Sequence, residues 1–94
     1  MTNMTDEKFI SLCRNTVRDY ANEHLDVTDE ECITESDVYI VWYCKALQNW
    51  KALVSTSLRD GMYYEITLNG NKNEYYLDAY KKFENRKILL DLEY

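Results

Sequence analysis

The hydrophobic period of this chain changes near residue 38 from that of a helix to that of strands, and that change limits the fold to a helix packed with strands. From Thr5 to Leu25 the apolar residues Phe9, Leu12, Cys13, Val17, Tyr20 and Leu25 recur at helical spacing. Thr5 is placed to accept a hydrogen bond from the first turn, where Asp6 and Glu7 suit the helix dipole. Beyond Val38 the spacing is that of strands. Val38, Ile40, Trp42, Cys44 and Ala46 share one parity, and Tyr39, Val41, Tyr43 and Leu47 share the other. Both parities are apolar, as in a strand covered on both sides, which is either central in its sheet or part of an oligomer interface.

The strands that follow are separated by turn signals. Gln48-Asn49 marks one turn, Arg59-Asp60-Gly61 a second, and Asn69-Gly70 a hairpin. Between the last two, Met62, Tyr64, Ile66 and Leu68 alternate with Tyr63, Glu65 and Thr67. A fourth strand is expected from about Asn73 to Leu77. After Asp78 two readings compete: a short helix over 79–88, with Tyr76, Tyr80, Phe83 and Lys87 on one face, or continuation of the strand to Tyr80. The helix is the preferred reading. The expected fold is therefore one α+β domain over 1–94. An amphipathic helix (5–25) and a loop (26–37) precede an antiparallel meander of three or four strands (38–78), and a short C-terminal helix ends the chain.

The loop is where the charge lies. Asp26, Asp29, Glu30, Glu31, Glu35 and Asp37 fall within twelve residues that contain no Lys or Arg. The whole chain carries a formal charge of −6. That balance points away from general nucleic-acid binding, which needs a basic face for phosphate, and suits a basic partner. Three cysteines without a C-x-x-C pair indicate thiols of a reducing compartment, with Cys13 and Cys44 in the core. No basic-then-apolar leader opens the sequence, and no apolar run reaches the roughly 20 residues of a membrane helix. A cytoplasmic location without membrane contact is expected.

Catalytic chemistry has little to build on. His24 is the single histidine, and its place near a helix end suits a surface role that complements the dipole. Carboxylates around Cys32 would raise its thiol pKa, against nucleophilic use. The acidic segment lacks the glycine and ligand spacing of a calcium loop, and Gly61 and Gly70 stand too far apart for a phosphate cradle. No enzyme activity, metal or cofactor is expected. Two candidate surfaces remain. One is the acidic segment Asp26, Asp29, Glu30, Glu31, Glu35 and Asp37, docking on a basic groove. The other is an aromatic surface of Tyr39, Tyr43, Tyr63 and Tyr75 with Lys45 and Lys51, suited to a small molecule, a nucleotide or single-stranded nucleic acid. A homo-oligomer through 38–47 would serve the second.

The run W-x-C-K-x-L-Q-N at Trp42 to Asn49 and the run Y-Y-E-I-T-x-N-G at Tyr63 to Gly70 carry a resemblance. Over roughly residues 33 to 87 the chain resembles a family of small phage and prophage proteins of Gram-positive bacteria, labelled a domain of unknown function. This chain departs from that pattern upstream of Ile33, where extra acids stand. The resemblance implies a setting and assigns no catalytic or binding residues. In that setting, the expectation is a non-enzymatic accessory protein that binds a host protein. An inhibitor of a host defence nuclease, of anti-CRISPR or anti-restriction type, would use the acidic surface for this. The alternatives are a nucleotide-binding oligomer and a phage replication accessory that contacts single strands.

Overall fold

Thr5 opens the helix as its sequence requires: its hydroxyl accepts from the Lys8 amide at 3.2 Å. The computed structural model describes residues 4–24 and 32–91. Helix α1 spans Asp6–Glu23, with Asp6 and Glu7 in its first turn. At its other end the His24 amide donates to the Ala21 carbonyl at 3.2 Å. The His24 ring lies 4.1 Å from the Tyr20 ring and its Nδ1 is 2.8 Å from the Tyr20 carbonyl. His24 thus finishes the helix. Phe9, Cys13, Val17 and Ala21, four residues apart along one side, are its buried residues.

The strands are β1 (Val38–Ala46), β2 (Asn49–Thr56), β3 (Met62–Asn69) and β4 (Glu74–Lys81). They form one antiparallel sheet in the order β1-β2-β3-β4. A short 3-10 turn, Glu35–Asp37, leads into β1. Directly paired residues of antiparallel strands project to the same side, so the register sorts each face into rows. Ile40, Val54, Tyr64 and Ala79 make one row, and Tyr43, Ala52, Ile66 and Leu77 the next. Lys45, Trp50, Leu68 and Tyr75 make a third on that side. Helix α1 packs here. Phe9 lies 5.1 Å from Trp50 and 6.2 Å from Tyr43, centroid to centroid, and Tyr20 meets the edge of Tyr64 at 5.6 Å. Burial pushes the Cys13 thiol up to about 12, so it sits in this core as a neutral apolar group. Among the described residues no helix is long and apolar enough to cross a membrane.

Three expectations change. First, β1 is an edge strand and not a central one, and α1 covers only one of its faces; no other element of the described chain covers the face that carries Tyr39 and Trp42. Cys44 stands on that uncovered side and is exposed, not a core thiol. Second, 79–88 forms no helix. β4 continues through Tyr80 and Lys81, opposite Tyr63 and Met62, because the ladder satisfies backbone groups that a helix here would have to re-pair. Residues 82–91 then run without secondary structure, all exposed. Third, the first hairpin turns at Leu47 and Gln48, one residue before the expected turn, with Leu47 in the left-handed region at φ 59.

The Asn69-Gly70 hairpin forms, for a reason of its own. Asn69 Oδ1 accepts from the Asn71 and Lys72 amides at 3.1 and 3.3 Å, which shapes a four-residue loop. Gly70 donates to the Gln48 carbonyl at 2.9 Å, tying this loop to the β1–β2 turn. A Cβ on Gly70 would fall 2.2 Å from that carbonyl oxygen. Gly70 is needed for close backbone approach; the positive φ belongs to Asn73, at 51. Gly70→Ala is therefore expected to lower stability by about 1–3 kcal/mol, the usual cost of forcing atoms into filled space. An unchanged urea midpoint would contradict the packing described.

Candidate binding face

The uncovered side of the sheet is the chain's candidate site, and a single extra residue in β1 creates much of it. The register shifts between Ile40 and Trp42: Ile40 opposes Val54, whereas Trp42 opposes Leu53. Val41 is the bulged residue. Were Val41 paired in the ladder and not bulged, Trp42 would share a face with Val38 and Ile40 under the helix. With the bulge, Trp42 turns to the open side and Tyr43 to the helix side.

The rows of the open face follow from the same register. Tyr39 pairs with Ser55 at one end, and Tyr63 with Tyr80 continues that end on β3 and β4. Next come Trp42, Leu53, Glu65 and Asp78, then Cys44, Lys51, Thr67 and Tyr76, and last Ala46, Asn49, Asn69 and Glu74. Four aromatic side chains here are about half exposed: Tyr39 51%, Trp42 47%, Tyr76 52% and Tyr80 51%. Lys51 and Glu65 form an ion pair in the middle, and that partner raises the Lys51 pKa. The Tyr76 hydroxyl is held un-ionised to higher pH by its hydrogen bond to Glu74. At the Tyr39–Tyr80 end a cavity of about 340 Å³ is lined by Tyr39, Ser55, Arg59, Tyr63 and Lys82 among others. The Lys82 ammonium lies 5.7 Å from the centre of the Tyr63 ring.

The aromatic surface expected from sequence is divided between two faces. Tyr39, Tyr63 and Lys51 lie on the open side. Tyr43, Lys45 and Tyr75 lie on the helix side. Tyr43 stacks with Trp50 at 6.4 Å, Lys45 sits 5.2 Å over the Trp50 ring, and the Tyr75 hydroxyl lies 3.4 Å from Thr16 Oγ1. The bulge is the reason for Tyr43, since Tyr39 and Tyr43 have the same parity and would otherwise share a face. Trp42, Tyr76 and Tyr80 are the residues that sequence reasoning missed. The alternation Tyr76-Asp78-Tyr80 would have signalled two of them had the strand been extended instead of the helix.

Asp26, Asp29, Glu30 and Glu31 lie outside the described residues. The two described acids of that segment have local partners. Glu35 lies 3.4 Å from Arg18, whose guanidinium also pairs with Asp19 at 2.9 Å. Asp37 Oδ2 accepts from the Thr34 amide at 2.9 Å. Among the described residues no group of three His, Cys, Asp or Glu side chains could hold a metal ion. What the open face offers is ring surface, a few hydroxyls and one neutralised ion pair. Those groups bind by contact and desolvation.

The chain belongs to a family of unknown function, DUF6275, whose sequence model matches residues 10–90. No curated protein and no solved structure matches it.

Deleting Val41 tests the origin of the face. Ile40 opposes Val54 and Trp42 opposes the adjacent Leu53, so removing the residue between them leaves a regular ladder with Val38, Ile40 and Trp42 on their present faces. The variant is therefore expected to stay folded, with a urea midpoint close to the parent's. A loss of about 2 kcal/mol or more, the cost of exposing a buried side chain such as Val38, would show that Val41 is instead paired in the ladder.

Proposed function

We propose that this protein is a non-enzymatic accessory factor that binds another protein through the open face of its sheet. One observation carries the reading: Tyr39, Trp42, Tyr76 and Tyr80 stand about half exposed on a sheet face that no element of the described chain covers. Tyrosine and tryptophan are enriched where binding energy concentrates, because each removes a large rigid surface from water at small entropic cost. Charge argues against single-stranded nucleic acid on this face. Glu65, Glu74 and Asp78 outnumber Lys51 there, and they would repel phosphate. A nucleotide would meet the same acids over most of the face, with Arg59 and Lys82 only at one corner.

The setting comes from the resemblance to small phage and prophage proteins, which supports a phage accessory protein acting on a host protein. The formal charge of −6 favours a partner with a basic surface, for which the groove of a host defence nuclease is a suitable target. The acids between Asp26 and Asp37 add to the negative charge that favours such a partner.

The test is capture from a host lysate by the tagged full chain, with and without nuclease, compared with the Trp42→Ala/Tyr80→Ala variant. One protein retained in stoichiometric amount after nuclease treatment, and reduced about tenfold or more by the variant, is the expected result; tenfold corresponds to about 1.4 kcal/mol. Equal capture by parent and variant would remove the face from the reading, and capture that vanishes with nuclease would replace protein by nucleic acid. Reversing Asp29, Glu30, Glu31 and Glu35 to Lys should weaken the same capture while the fold persists.

A further inference from the structure

We infer that the open face is occupied, when no foreign partner is present, by the C-terminal arm of a second copy of this chain, in a reciprocal exchange. This rests on the reading of the open face as a protein-docking surface and names an occupant for it. The arm is residues 82–91. Its first residue is fixed, the Lys82 amide donating to the Gly61 carbonyl at 2.7 Å. Beyond that point the chain leaves the body. Phe83 is 101% exposed, Ile88 81%, Leu89 81% and Leu90 77%. Four large apolar side chains in water on an extended segment are a second unburied surface on the same molecule as the first.

Size and charge both say that the two surfaces meet between copies. The radius of gyration is 16.0 Å, against about 12 Å for a compact chain of this length. The accessible surface is 7421 Å², against about 5,700 Å² for a folded monomer of this mass. The surplus is more than the roughly 800 Å² that each partner of a specific protein–protein contact buries. Residues 83–90, extended, reach about 26 Å, which is also the length of an eight-residue strand. One arm can therefore run the length of one face. The arm from 83 to 90 carries Arg86 and Lys87 against Glu84, net +1, and the three rows of the face away from the Arg59–Lys82 corner carry Lys51 against Glu65, Glu74 and Asp78, net −2. Opposite signs favour the contact.

A second copy is the occupant because each molecule holds one arm and one face, and a two-fold pair satisfies both at once. Folding back onto its own face would require the arm to reverse just after the Lys82 anchor. Lys82, Phe83 and Glu84, where that turn would fall, include none of the residues that favour turns (Gly, Pro, Asn, Asp, Ser). The family's sequence model runs through residue 90, so the arm lies within the shared pattern. A foreign partner of the kind proposed above takes the same acidic, aromatic surface and so competes with the arm.

Light scattering on the purified full chain tests this. The parent is expected at twice the chain mass, and the Ile88→Asp/Leu90→Asp variant at the chain mass with its far-ultraviolet spectrum unchanged. In the same variant Cys44, on the open face, should react several-fold faster with a thiol reagent, while buried Cys13 stays unreactive. A parent at single-chain mass throughout its soluble range would overturn the proposal. So would a dimer that survives the arm substitutions. Failure of the arm is distinguishable from failure of the face. Arm variants should capture the lysate protein at least as well as the parent, whereas Trp42→Ala/Tyr80→Ala loses both the second copy and the lysate protein.

Discussion

A single helix serves a sheet that has two faces, and the rest of the structure follows from that shortage. Phe9, Cys13, Val17 and Ala21 cover the side that presents Val54, Tyr64, Ala52, Ile66 and Trp50. The contact of Phe9 with Trp50 and Tyr43 places the helix near β1 and β2. Burial of large side chains at about 1.5–3 kcal/mol each makes this the dominant stabilising contact in a chain whose net stability is on the order of 10 kcal/mol. Among the described residues nothing comparable remains to cover the other side.

That other side is not the polar surface that a solvated sheet face normally shows. Antiparallel sheets with one wet face alternate polar and apolar residues, and β3 does so with Glu65 and Thr67. The flanking strands β1 and β4 do not. The Val41 bulge turns Trp42 outward, and β4 adds Tyr76 and Tyr80. An edge strand with a bulge is twisted away from flat edge-to-edge pairing, so contact through the face is favoured over contact through the edge. Acids on the same face give it a sign as well as a shape, and the net charge of the chain extends that sign beyond the face.

Much of the fold was legible in the residues. Thr5 and the stripe from Phe9 to Ala21 announce the helix, and the alternation from Met62 to Leu68 announces a strand with one buried side. Glycine also marked turns: Gly61 takes φ 72 where Asp60 Oδ1 receives the Met62 amide. The candidate site was legible only in part. Tyr39, Tyr63 and Lys51 reach the open face. Tyr43 and Lys45 do not, because one bulged residue reverses the parity of the rest of β1, and Tyr75 does not, because it pairs with the buried Leu68. The helix expected over 79–88 failed for a related reason. Tyr80 and Lys81 have propensity for either state, and the free edge of β3 decided between them.

Local sequence determined what depends on neighbours a few positions away: the helix, its cap, the strand periods and the turn residues. It also determined, through composition, the negative charge and the scarcity of catalytic groups. The tertiary structure decided what depends on distant partners. Gly70 is constrained by the Gln48 carbonyl, twenty-two positions earlier. Strand β4 takes its length from β3, and the exposure of Cys44 and Trp42 follows from a register set by β2. A sheet's facing is a property of pairing, and pairing is settled by whichever residues lie opposite in space.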